Sequence, residues 1–271
     1  MRSLEPFPEV ASRILTLAGK PEVIPDEIIE VVQTDPGVTA KVLKLTNSAY
    51  YGFQREIGSL WEAGNMLGVD ALVNLVLTSS ANRYFRHFGK ARSDARNGLW
   101  YRSISQALAS RLIAERFGYE SPDRAYTAGL LQNIGEVVLD RFYSDALPRV
   151  RAEVAHGRTP LQAEKVILGM HHAEIGARLG SNWKLPLFLV DTIRFHHSPD
   201  QASIDPLLTS AVHLAETLLD LNQPGDLRLP HEVCEAALEL TGLDPDDFGM
   251  IFHNLEAELA RAQEWLIDEP A

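Results

Sequence analysis

Cysteine is nearly absent from this 271-residue chain, which has one, Cys234. A single thiol cannot close an internal disulfide, and without a Cys pair there is no zinc ribbon and no dithiol redox motif. A reducing, intracellular setting is the simplest reading. No stretch approaches about 18 uninterrupted apolar residues, the least a membrane helix needs. Residues 1–10 lack the basic start and apolar run of a secretory signal. A soluble, cytoplasmic protein that does not enter the membrane is therefore expected. Also missing are a Gly-x-Ser-x-Gly elbow, a P-loop, the dinucleotide glycine spacing and the metal spacings His-x3-His and His-Glu-x2-His. Cys234 lies on an acidic predicted helix that would raise its pKa, so it reads as a packed or half-exposed thiol, not a nucleophile.

What is present is a globular composition, 45% hydrophobic and 23% charged. At about 150 residues per domain this is one large domain or two modest ones, long enough to bury roughly 70–75% of the unfolded surface. The net charge of −12 is unevenly placed. Residues 200–271 hold 16 acids and two bases, whereas residues 1–199 hold 21 acids and 23 bases. A last segment at −14 repels any polyanion, which argues against nucleic acid as a partner. Its apolar residues, Leu207, Leu208, Val212, Leu214, Ala215, Leu218 and Leu219, then Val233, Ala236, Ala237 and Leu240, keep helical spacing. The segment reads as amphipathic helices with solvated acidic faces.

Apolar residues return every three or four positions along nearly the whole chain, and strand-like alternation is scarce. An all-α fold follows. Asp35-Pro36, Ser121-Pro122, Thr159-Pro160 and Asp244-Pro245 each set a capping oxygen before a proline suited to a first helical turn. Ser59 with Glu62, and Thr159 with Gln162, have capping-box spacing, while Gly68, Gly118, Gly157 and Gly242 mark helix ends. The pattern predicts helices over 8–19, 26–34, 36–48, 60–67, 70–86, 98–117, 122–133, 135–143, 145–156, 160–168, 172–182, 186–197, 205–221, 231–241 and 245–267. The polar segment His87–Gly98 divides them into two packed lobes, residues 1–90 and 91–271.

Histidines are the one concentrated chemical signal: His171-His172, His196-His197 and, farther on, His213. His172, His196 or His197, and an acid such as Glu216 could converge on one ion, since imidazole and carboxylate suit zinc, iron or nickel. The structural reading has them capping helix ends and hydrogen-bonding across an interface. Arg83-Tyr84-Phe85-Arg86-His87-Phe88 has the composition of a single-strand binder, but reads more simply as a helix end with Phe85 and Phe88 packed inward. Lys41, Lys44 and Arg55 around Tyr50-Tyr51 are read the same way.

Taken together, several segments resemble the HDOD domain, a divergent regulatory branch of the HD superfamily of metal-dependent phosphohydrolases. The first half of the resemblance runs through Asp35-Pro36 and Asn47-Ser48-Ala49-Tyr50-Tyr51-Gly52, then Ile57, Ser59, Ala63 and Leu67-Gly68. The second half runs through Ala128-Gly129, Gln132-Asn133, Gly135, His172-Ala173-Glu174-Ile175-Gly176, Trp183, Leu185-Pro186, Ile193, His196-His197 and His213-Leu214-Ala215-Glu216. The match spans roughly residues 4–220. It leaves most of the acidic segment outside the shared part, as the place for features particular to this protein.

The resemblance implies a helical fold whose second lobe is HD-like, and a bacterial signal-transduction module acting through protein partners, without catalysis. Active HD phosphohydrolases use an early histidine, a His-Asp dyad, later histidines and a final aspartate. The early position falls at or beside Arg102, the dyad becomes Gln132-Asn133, the later histidines are His172, His196 and His197, and the final acid is Glu216. Neutral amides suit a transition metal poorly. A guanidinium roughly 5 Å from a dication would oppose it by about 6–7 kcal/mol at an effective dielectric near 20. The expectation is a degenerate site with no cofactor and no metal. Glu136 stands where the lysine of cyclic-dinucleotide phosphodiesterases stands, and no Gly-Tyr-Pro follows His197, so cyclic-di-GMP hydrolysis is disfavoured. Two alternatives stay open: a mononuclear phosphohydrolase using His172, His196/His197 and Glu216, and a phosphate or nucleotide sensor with Arg102 as anion clamp. Asn47, Tyr50, Tyr51 and Arg55 read as a turn held by its own hydrogen bonds, or as a docking surface. Oligomeric state is left open, a homo-oligomer included.

Overall fold

The computed structural model describes residues 7–18, 24–88, 98–220 and 235–263. Among these residues there are fifteen α-helices, one 3-10 turn and no strand. The first lobe is α1 (Glu9–Ala18), α2 (Pro25–Gln33), α3 (Pro36–Thr46), α4 (Leu60–Leu67) and α5 (Val69–Phe88). The second opens with α6 (Leu99–Arg116), α7 (Pro122–Leu131), α8 (Ile134–Phe142), α9 (Leu147–Ala155) and α10 (Pro160–Leu168). It continues with α11 (His172–Asn182), α12 (Leu187–Phe195), the turn Pro199–Gln201, α13 (Pro206–Asp220), α14 (Glu235–Thr241) and α15 (Pro245–Arg261). The expected lobe boundary, and Cys234, lie outside the described residues.

Most predicted caps form. The side chains of Asp35, Ser59, Thr159 and Asp244 accept from the first-turn amides of α3, α4, α10 and α15, and boxes close at Thr159 and Asp244. Two expectations fail. Ser121 makes no cap bond, leaving Pro122 to start α7 by its fixed φ. Glu62 reaches the amide of Gly58 and not that of Ser59, so the box at α4 is half made. α3 stops at Thr46, not at 48: the Asn47 side chain shares the Leu43 carbonyl with its own backbone N–H, donating at 2.8 Å, and ties the turn to Ile57.

α6 is the spine of the second lobe, packed against α7, α13 and α15, while α11 lies against α8 and α12. α5 carries the first lobe onto α6, α7 and α8, and one apolar core runs from Phe7 to Ala262 across both lobes. Phe7 stacks on Trp183 with ring centres 4.7 Å apart, joining the start of the described chain to the end of α11. One helix crossing sets the site. A β-carbon on Gly135 would fall 1.9 Å from the His172 carbonyl oxygen, and one on Gly176 would lie 3.2 Å from the Gly135 nitrogen. α8 and α11 therefore meet backbone to backbone, which fixes the height at which His172 enters the core.

Candidate functional site

Two adjacent histidines begin the site and divide its work. His171 caps α11: its ring accepts from the Glu174 amide while Glu174 accepts from the His171 amide. His172 is buried and turns inward. Its ring Nδ1 lies 2.9 Å from Glu164 Oε2, and the same oxygen accepts the His172 backbone N–H at 2.7 Å. On its other side, His172 Nε2 is 2.9 Å from His197 Nε2. The second pair follows α12, where the chain leaves the helix. His196 is fully buried, with Nδ1 2.9 Å from the Ile193 carbonyl, and its own carbonyl lies 2.8 Å from His213 Nδ1. Glu216 comes in from α13, its Oε2 3.4 Å from His197 Nδ1 and 3.9 Å from His196 Nε2. One ring nitrogen each from His172, His196 and His197 lie within 4.8 Å of one another.

Partners decide where the protons sit. A carboxylate and a carbonyl only accept, so His172 and His196 each carry hydrogen on Nδ1 and leave Nε2 bare when neutral. His197 then donates from Nε2 to His172, which bares its Nδ1 toward Glu216. His196 Nε2 and Glu216 Oε2 are both buried and make no hydrogen bond. With the rings neutral, three acceptors thus face one another with no donor among them. Burial drives the His197 imidazole down to about 4 and holds His196 well below its ordinary value, each repelled further by neighbouring histidines. Burial also pulls on His172, but its bond to Glu164 and the surrounding carboxylates lift it above the ordinary value.

Arg102 borders the cluster through Glu216, and the amide pair is buried between α7 and α8 in the chain. Arg102 Nη1 is 3.3 Å from Glu136 Oε1, and Nη2 is 3.8 Å from Glu216 Oε1. Gln132 is fully buried with neither amide atom bonded, and Asn133 donates to Gln106 Oε1 at 3.5 Å while its own oxygen has no partner.

This order of residues on this fold is matched elsewhere. The HDOD domain model fits residues 4–199. The chain belongs to the HDOD domain family. An HDOD domain protein of unknown function from Geobacter sulfurreducens is 27% identical, with a TM-score of 0.79 over 97% of this chain and 92% of that one. Two solved structures at 24% identity share the fold over 97% of this chain. One is from Marinobacter aquaeolei, provisionally named a signal transduction protein, with a TM-score of 0.77 over 60% of that chain. The other is from Shewanella amazonensis, provisionally named a phosphohydrolase, with a TM-score of 0.71 over 95% of that chain. The HDOD chain spans less than half, 42%, of a curated relative from Treponema pallidum, an uncharacterized protein 29% identical over 226 residues.

The metal implied by the HD superfamily can be tested against the donors of this HDOD protein. One ion fits. The three imidazoles and Glu216 are the donor types of a transition-metal site, His196 Nε2 and Glu216 Oε2 are buried without a hydrogen-bond partner, and the Nδ1 positions of His172 and His196 are taken by acceptors. The expectation of no metal rested on the neutral amides of Gln132 and Asn133 and on the charge of Arg102. The guanidinium is met by Glu136 and Glu216. A second ion does not fit, because Gln132 and Asn133 offer no bridging carboxylate. The same ion pairs remove the basis for Arg102 as an anion clamp.

The N-terminal candidates lie elsewhere. Asn47 bridges both backbone groups of Ile57, accepting from N at 2.7 Å and donating to O at 2.9 Å. Gly52 takes φ +60°, as the turn requires. Tyr50 is half-buried and accepts from Arg111 at 2.8 Å, while Tyr51 packs edge-on against it. Arg55 pairs with Glu62. This is a turn held by its own bonds, with Tyr50 tied to α6 and Arg55 exposed. Of the basic-aromatic run, Phe85 is buried; the side chains of Arg83, Tyr84, Arg86, His87 and Phe88 lie outside the described residues. The sequence reading missed Glu164 and Gln106. Glu164 follows buried Ala163 and precedes exposed Lys165, so spacing alone places it at the edge of a polar face.

Proposed function

We propose that this HDOD protein is a regulatory signalling module that works by binding a protein partner, not by turning over a phosphoester. The observation that carries this reading is the buried Gln132-Asn133 pair, neutral amides at the positions that the resemblance gives to the anionic dyad of a phosphohydrolase. The name of the Marinobacter neighbour accords with it, and that of the Shewanella neighbour points the other way. The test is turnover of p-nitrophenyl phosphate and cyclic-di-GMP by purified protein supplied with manganese, iron or zinc. No turnover is expected. Hydrolysis abolished by His172→Ala would overturn the reading.

A second reading, favoured by the donor-poor face of His196, His197 and Glu216, concerns what the centre holds. His172, His196, His197 and Glu216 would ligate a single transition-metal ion, which would supply Lewis acidity when bound. In a regulatory module its role is to tie α11, α12 and α13 together. Untagged protein grown in metal-supplemented medium should carry about one equivalent, and less than a tenth of an equivalent ends this reading.

A further inference from the structure

We propose that Glu164 is a positioning residue for that centre, presenting His172 to the ion in one tautomer and one orientation. The proposal rests on the single-ion reading above.

The geometry is specific. Glu164 stands on α10, eight residues before His172 and on a different helix, and its carboxylate is nearly enclosed. One oxygen, Oε2, accepts from both the backbone N–H of His172 and its ring Nδ1. The first bond fixes the root of the side chain and the second fixes the twist of the ring, so the imidazole has one way to lie. Nδ1 must carry the hydrogen, and Nε2 is turned into the pocket as a lone pair. Lys165, the neighbouring cation, reaches outward to Glu174 at 3.2 Å, so the buried carboxylate of Glu164 is directed at His172. A carboxylate taken out of water is costly unless something charged answers it. A carboxylate behind an imidazole whose far nitrogen ligates an ion is the arrangement that recovers that cost, because it raises the basicity of the ligand.

The rest of the pocket fits this division. His196 has its Nδ1 held by a carbonyl, so its ring is also fixed with Nε2 inward, but without an anion behind it. His171 is spent on capping α11. His197 has Glu216 at its Nδ1, but Glu216 is itself one of the proposed ligands; Glu164 is the carboxylate that stands behind a ligand without being one, and it sets how strongly His172 holds a cation.

The experiment compares wild type with Glu164→Gln and Glu164→Leu by chelator competition for zinc, with the unfolding midpoint and far-UV circular dichroism of the metal-free proteins as fold controls. Glu164→Gln keeps the volume and one acceptor and removes the charge; its zinc affinity should fall at least 10-fold. Glu164→Leu should lose up to about 100-fold, the upper end for such outer carboxylates. In metal-free protein, nitrogen-15 spectra should show His172 with hydrogen on Nδ1 in wild type, and a loss of that preference in Glu164→Leu, which a merely structural role would not produce. If Glu164→Leu does not fold, Glu164→Gln carries the test. Wild-type zinc affinity in the Gln variant overturns the proposal while leaving the ion in place. A wild type that takes up no zinc at all overturns both the proposal and the single-ion reading.

Discussion

His197 shows how the centre couples to pH. Its imidazole is pulled down to about 4, mainly by burial, with Glu216 pulling upward and His172 and His213 adding repulsion. The unfolded chain would protonate it near 6.5. Between those values the unfolded state binds more protons than the folded one, so stability falls as pH falls from about 6.5 to about 4 and is unaffected above that window. The gap corresponds to at most about 3 kcal/mol. His196, lowered by burial and by its histidine neighbours, acts in the same direction. His172 opposes them: raised in the fold, it contributes fully below about 6.5 and loses that contribution as pH climbs through its folded value. Two groups outweigh one, so the urea midpoint of chelator-treated protein should drop steadily from pH 6.5 toward 4.5, and His197→Gln should flatten part of that slope. A wild-type midpoint that stays level across the window would contradict the burial of these rings. At this scale the sequence was legible where residue types repeat in order, in His172, His196, His197 and Glu216. Glu164 was not legible, because nothing in Leu161-Gln162-Ala163-Glu164-Lys165 says which of two adjacent charges turns inward.

Helices were legible almost to the residue wherever a proline or glycine marks an end, because those residues act through φ and through missing or freed hydrogen bonds, which are local. Which helices touch is not local, and two contacts show what that hides. The first is the crossing of α8 and α11. Gly135 looked like a helix start, yet its hydrogen faces the carbonyl of His172, and Gly135→Ala would drive a β-carbon to within 1.9 Å of that oxygen. The variant should lose about 3 kcal/mol or more, as backbone overpacking does at its upper end, and should move His172 out of register. A thermal melt with a normal midpoint would disprove the close crossing. The second is the contact of α6 with α15. Arg111 donates to Tyr50 at 2.8 Å and to Glu258 at 3.2 Å, and Arg116 donates to Asp247 at 2.6 Å. The first of these arginines joins the N-terminal turn to the last helix. Arg111→Met leaves Glu258 with Arg261 and Tyr50 as its remaining partners, and should cost about 1–2 kcal/mol in urea unfolding, since the side chains keep some exposure. Glu258→Gln should cost less, since the amide still accepts from the guanidinium.

Charge is where the whole molecule departs most from what its sequence suggests. The −14 of the last segment pointed to an addition outside the shared scaffold. The Geobacter structure aligns over 97% of this chain, however, and Asp247 and Glu258 are answered by arginines of α6, so α14 and α15 belong to the common fold. Pairing across more than 100 residues of sequence leaves no periodic trace, and a net charge cannot reveal it. The same connectivity would make the proposed metal centre a property of the entire fold. Its donors come from α11 and α13 and from the turn that ends α12, and α13 packs on α6, which in turn carries α15. An ion that binds only the assembled donors stabilises the folded state by about 2.7 kcal/mol at 100 times its dissociation constant. For a chain of this size that is a rise in unfolding temperature of roughly 5–10 °C. Zinc should produce such a shift in a single calorimetric transition, EDTA should reverse it, and His196→Gln should remove it while leaving the metal-free transition in place. Two separated transitions, with only one moved by zinc, would mean that the lobes unfold independently and that the continuous core from Phe7 to Ala262 does not couple them.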